Sequence, residues 1–82
     1  TQNGPEESAL KEESRRMIWE ALNTLPSEIR MTLILRDIQG KSYEEVAEIM
    51  SLPVGTVKSR INRGRLQLAG FLKERKEKEN EV

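Results

Sequence analysis

The sequence predicts an all-α fold, a four-helix bundle with a C-terminal helix-turn-helix, and three observations carry that reading. Apolar residues recur at helical spacing rather than in alternation. Ser42-Tyr43-Glu44-Glu45 opens a short helical segment, and a tight turn at Ser51, Leu52 and Pro53 joins it to a longer, basic one. Eighty-two residues make one domain at most, with a core barely sufficient for independent folding.

Residues 1–4 are polar and read as the end of an interdomain linker. Pro5 suits the first turn of a helix, and Glu6 and Glu7 follow where the helix dipole favours acids. Leu10, Met17, Ile18, Ala21, Leu22 and Leu25 mark one face, which predicts a helix over residues 5–23. Pro26 breaks it and is acceptable only in the first turn of the next helix.

That second helix, over residues 27–38, carries Ile29, Met31, Leu33, Ile34, Leu35 and Ile38. This is more apolar surface than one stripe needs, so the helix is either buried on several sides or offers a face to a partner. Gly40 stops it. Ser42, followed three residues later by Glu45, is a capping box for a third helix ending near Met50. The fourth helix runs from Val54 to at least Leu72. Residues 73–82 alternate Lys or Arg with Glu, lack an apolar face, and are expected to fray as a charged tail, leaving residues 5–72 as the folded domain.

Composition removes several kinds of chemistry. The chain has no Cys and no His, hence no thiol, no disulfide, none of the usual zinc sites and not the commonest general base. No cofactor or metal is expected. Glu44 and Glu45 are adjacent carboxylates, but side by side on a helix they point apart and are explained by capping, so no enzyme is expected either. One Trp, one Tyr and one Phe do not make a stacking platform for single strands. Trp19 and Tyr43 read as partly buried packing residues. No apolar run approaches a signal-peptide core or a membrane span. With the lack of cysteine, this leads to the expectation of a cytoplasmic chain with no membrane partner.

The net charge is zero, but the charges are segregated. Residues 1–52 hold six basic residues against ten acids, whereas residues 53–82 hold eight against four. Between Glu48 and Glu74 no acid occurs, while Lys58, Arg60, Arg63, Arg65 and Lys73 fall inside. A merely solvated face would mix signs. This arrangement makes a local positive field of the kind that phosphates feel within about 8–10 Å.

The pattern around the turn supplies the geometry. Val46, Ala47, Met50, Leu52, Val57 and Ile61 can lock two helices at a wide angle, with small Ala47 allowing close approach. On the fourth helix Val57, Ile61, Gly64 and Leu68 share the line that faces the core. The opposite line holds Gly55, Lys58, Ser59, Asn62, Arg63 and Leu66, with Arg60 and Arg65 on its flanks. Arg or Lys can donate to guanine, Asn can pair bidentately with adenine, and Ser can do either, which suits the major groove of duplex DNA. Arg60 and Arg65, splayed sideways, suit phosphates.

Residues 42–50 and the string Pro53-Val54-Gly55-Thr56-Val57-Lys58-Ser59-Arg60 closely resemble region four of bacterial sigma factors, in particular the extracytoplasmic-function group. Leu25-Pro26-Ser27-Glu28-Ile29-Arg30 and residues 33–40 resemble the entry to that region, so the likeness covers about residues 5–72. It implies four helices, the last reading the −35 promoter element. It also implies docking on the β-flap of RNA polymerase and an anti-sigma factor that masks both surfaces. By position, Lys58, Ser59, Asn62 and Arg63 are expected at base edges. Thr56, Arg60 and Arg65 are expected on phosphates, helped by Lys41 and Tyr43. Ile29, Met31, Leu33, Ile34, Leu35 and Ile38 are the expected docking face for polymerase or anti-sigma factor. Two departures from the family stand out: Gly64 where Ala is frequent, and Pro53 where many members have a Ser N-cap.

Nothing in the chain corresponds to the family's −10-reading domain, so it is expected to be one domain of a longer protein. Residues 73–82 lack apolar a and d positions, and Leu66, Leu68 and Leu72 are too few for a dimer seam, so a monomer is expected in isolation. A response-regulator output domain is the nearest competing reading, but it continues Thr-Val-Lys differently from Ser59-Arg60. A protein-interaction module with no DNA role would leave the acid-free face from Lys58 to Arg65 without a purpose.

Overall fold

The computed structural model describes residues 5–80, and side chains from residue 9 onward apart from Leu10. The expected linker at residues 1–4 and the place of the Leu10 side chain on the first apolar stripe lie outside what is described. The order is α1 (Pro5–Asn23), α2 (Ser27–Leu33) running on into a π-helical turn (Ile34–Ile38), α3 (Tyr43–Met50) and α4 (Val54–Asn80). No strand occurs among the described residues. The all-α prediction holds.

α1 delivers Ala21 and Leu22 to the core, and Leu25 follows from the turn beyond it. The Thr24 hydroxyl donates to the Ala21 carbonyl at 2.6 Å, tying off the last turn before Pro26. Ile18, placed by periodicity on the buried stripe, instead points outward with Trp19. α2 is only seven residues long and touches both α1 and α4. It therefore buries Ile29, Thr32 and Leu33 together, with the Thr32 hydroxyl bonded to the Glu28 carbonyl at 2.8 Å.

At Ile34 the helix widens. Gln39 donates to Ile34 at 2.9 Å, an i→i+5 bond, and Lys41 donates to Leu35 at 3.1 Å. Gly40, at φ +73°, ends the segment in the left-handed region that glycine enters without steric cost. The extra residue in this turn buries Leu35 and leaves Ile38 outside.

α3 begins with the expected capping box. Glu45 N–H donates to Ser42 Oγ at 3.0 Å, and Ser42 N–H donates to Glu45 Oε1 at 2.8 Å. Ser42→Ala is expected to cost about 1 kcal/mol in denaturant unfolding. The bond from the Ser42 backbone holds the Glu45 carboxyl below its ordinary value of 4.5, with the Ser42 hydroxyl acting in the same direction. A carboxyl held low stabilises the fold above its unfolded pKa and loses that contribution as pH falls through the folded one. The stability advantage of the native chain over Glu45→Gln should therefore be full at neutral pH and fade in acid, below about pH 4.5. An advantage unchanged into acid would contradict the cap.

Residues 73–82 do not behave as a frayed tail as far as they are described. α4 continues to Asn80, 27 residues or roughly 40 Å of helix. Arg75 reaches back to pair with Glu20 of α1 and lies 3.9 Å from Glu79 one turn on. The alternating charges that looked like a solvated tail include an i,i+4 pair and a tertiary staple.

Candidate nucleic-acid interface

The second half of the molecule is built around the contact of α3 and α4. Val46, Val57 and Ile61 are fully buried, Ala47 nearly so, and Met50, Leu52 and Val54 pack against the same cluster. Ser51 adopts φ 56°, ψ 49°, and this left-handed residue turns the chain between the helices. Leu52 N–H reaches back to the Ala47 carbonyl at 2.9 Å, and Val57 N–H to Pro53 at 3.1 Å. The sequence-derived lock is the observed one.

Gly64 extends the buried line of α4 toward α2. A Cβ there would lie 2.7 Å from both Ile29 Cγ2 and Leu33 Cδ1, closer than carbon atoms approach. Glycine is what lets α4 close down on α2. Since Val57, Ile61 and Gly64 face inward and Leu68 is half-buried against the core, the other side of a straight helix faces solvent. Lys58, Ser59, Asn62 and Arg63 are all exposed there, and Thr56 is half-buried in the first turn.

The two flanks differ from the simple picture of free cations. Arg60, only 23% exposed in its side chain, lies 3.4 Å from Glu28 at the start of α2. Arg65 makes a two-pronged bond to Asp37 of the π-helical turn, Nε to Oδ2 at 3.0 Å and the terminal nitrogen to Oδ1 at 2.5 Å. These bonds to Asp37 push the Arg65 pKa up. Both groups of the Asp37–Arg65 pair remain more than a third exposed, and pairs in such settings contribute about 0–1 kcal/mol.

Tyr43, half-buried at the start of α3, gathers the cations of this flank. Its ring carries the Arg36 guanidinium 4.5 Å from its centre and the Lys58 ammonium at 5.5 Å. Arg36 also donates to the Lys41 carbonyl at 2.8 Å, which orients the loop that holds Lys41. Arg36 was not among the sequence candidates. Its signal, a cation seven residues before Tyr43 across a glycine stop, was hidden inside a segment read as an apolar face. Trp19 is exposed rather than partly buried, whereas Tyr43 packs as expected.

The expected docking face needs correction. Ile29, Leu33 and Leu35 are buried in the core and Ile34 packs against it, so only Met31 and Ile38 of that set are exposed. Contacts of α2 with both α1 and α4 account for the inward turn of Ile29 and Leu33, while Ser27, Glu28 and Met31 stay exposed. Ile38 shares its accessible apolar surface with residues of α1. Ile18, Trp19 and Ile38, each between 41% and 48% exposed, line an open cleft of about 510 Å³ with Lys11, Ser14 and Arg15.

Residues 15–68 match the family described as Sigma-70, region 4. The chain belongs to this family. Relatives include the extracytoplasmic-function RNA polymerase sigma-E factors of Escherichia coli K12 and Salmonella typhi, each 48% identical over 63 residues. These alignments cover 77% of this chain and 33% of each relative. The sigma-E factor of Haemophilus influenzae is 44% identical over 61 residues, covering 74% of this chain and 32% of the relative. The chain thus spans about a third of the length of the curated relatives it matches. The match encloses the π-helical turn, the capped α3 and all of α4 through Leu68, so the polar face and its flanks belong to the sigma region 4 portion. The Glu20–Arg75 staple joins a residue inside that match to one beyond it.

Proposed function

We propose that this region 4 domain reads the −35 element of a promoter as part of a sigma factor, with α4 in the major groove. The observation that carries the reading is the acid-free outer face of α4, held opposite a fully buried line. Lys58, Ser59, Asn62 and Arg63 face base edges. Thr56, Arg60 and Arg65 meet phosphates on the two sides, with Lys41, Tyr43 and Arg36 extending the backbone contact beside the N-terminus of α3, where the helix dipole adds a positive end. The task is recognition in transcription, carried out in the cytoplasm, rather than catalysis.

The cleft of Ile18, Trp19 and Ile38 is the docking surface for the β-flap of RNA polymerase, and an anti-sigma factor competes for it. One recognition helix with a handful of phosphate neighbours gives a sequence preference but only weak affinity at physiological salt. A tethered domain overcomes this through effective concentration, whereas a repressor dimerises on two half-sites. The chain is therefore expected to sediment as a monomer, to bind its −35 duplex only in the micromolar range or weaker, and to form a complex with a β-flap fragment. Trp19→Glu should abolish that complex and leave duplex binding unchanged. A tight dimer, or nanomolar binding to a palindrome by this chain alone, would replace the sigma-factor reading with a repressor.

A further inference from the structure

Leu66 is the most exposed of the large apolar side chains among the described residues, at 75%. It does not sit at the margin of α4. Counting 100° per residue from the buried line of Val57, Ile61 and Gly64, it points almost directly away from the core, in line with Ser59 and one turn beyond Asn62. Every other side chain singled out on that outward line, apart from Gly55, is polar or charged. Its neighbours one turn on are small, Ala69 and Gly70, and open space surrounds Gly70. A leucine exposed on the otherwise polar outward line of α4 adds little to folding.

We infer that Leu66 reads the 5-methyl group of a thymine in the major groove. The inference rests on the proposed seating of α4 and adds a specificity residue to it. From Ser59 to Leu66 is seven residues, roughly 10 Å along the helix axis. The leucine lies two turns beyond Ser59 on the same outward line and continues the surface that carries Ser59, Asn62 and Arg63. The thymine methyl is the one apolar group that a base pair presents there, and it marks A·T against G·C without a hydrogen bond. Desolvating one methyl against a branched aliphatic side chain is worth about a three- to fivefold change in affinity.

The test uses the whole chain and duplexes it selects from a randomised pool. In the preferred duplex each thymine is replaced singly by deoxyuridine, which removes only the methyl. At one thymine position, the native chain should lose about three- to fivefold in affinity, and Leu66→Ala should bind thymine and uracil there equally. Thermal unfolding of Leu66→Ala should be unchanged or slightly raised, because the side chain is three-quarters exposed and alanine favours helix. If no thymine shows a loss that depends on Leu66 while Arg63→Ala still weakens the selected duplex, the methyl contact is wrong and the seating of α4 stands. If the pool yields no preferred sequence, both fall together.

Discussion

Ile61→Ala is expected to lower the unfolding free energy by about 2–4 kcal/mol. Ile61 is fully buried where α4 meets the core, among the largest side chains with no exposure, and it belongs to the same cluster as Leu33, Val46 and Val57. Removing its branched end leaves a cavity between α2, α3 and α4 that neighbouring helices cannot fill, because Gly64 one turn on already brings α4 against Ile29 and Leu33. A domain of this size commonly has only about 5–15 kcal/mol in total, so a loss of this size should show plainly as a lowered midpoint in thermal or denaturant unfolding. An unmoved midpoint would mean that the buried line of α4 is misassigned, and the outward face would be misassigned with it.

Arg63→Ala has the second large expected effect, on recognition. It should weaken binding to the preferred duplex by about 1–3 kcal/mol and to random duplex much less. Arg63 is exposed, has its place beside Ser59 and Asn62 on the outward side, and can donate in pairs to guanine. Arg60→Ala and Arg65→Ala should behave differently, weakening preferred and random duplex alike and flattening the salt dependence by about one unit each. In the free protein both are held by carboxylates, Glu28 and Asp37, which keeps them extended along the flanks rather than across the reading face. Titrations of the three variants over a range of salt separate the two roles. An equal loss on both DNAs for Arg63→Ala would make it a phosphate contact.

The helices were legible in the sequence because their ends are written in local chemistry. Pro26, the Ser42–Glu45 box, Gly40 and the Ser51 turn are signals of a few residues each, and the observed bounds follow them. The outward face of α4 was legible for a related reason: once Val57, Ile61 and Gly64 are inward, a regular helix leaves no choice about Lys58, Ser59, Asn62 and Arg63. What periodicity could not resolve is the segment around Leu33, Ile34 and Leu35. Three consecutive apolar residues fit several helical phases, and the π-helical turn decides which of them is buried.

Pairings across the fold were invisible for another reason. Arg65 with Asp37 and Arg75 with Glu20 are separated by 28 and 55 residues, and a charge pattern read along the chain cannot match partners that only packing brings together. The same limit hid the burial of Ile29, Leu33 and Leu35 on the second helix. Its apolar residues are there to satisfy neighbours on two sides, while Ile18 and Trp19, one apparently in the stripe and the other read as packing, are the ones left outside.

The position of α4 against duplex DNA is tested most directly by nuclear magnetic resonance of the isotope-labelled chain, titrated with its selected duplex. The largest backbone amide shifts should fall on residues 54–66, with a second set at the start of α3 around Tyr43, while Ile18, Trp19 and Ile38 stay near their free positions. Shifts concentrated on α1 and Ile38, with residues 58–63 of α4 silent, would contradict the reading: the cleft would then be the DNA contact and the acid-free face of α4 would be no more than a solvated surface.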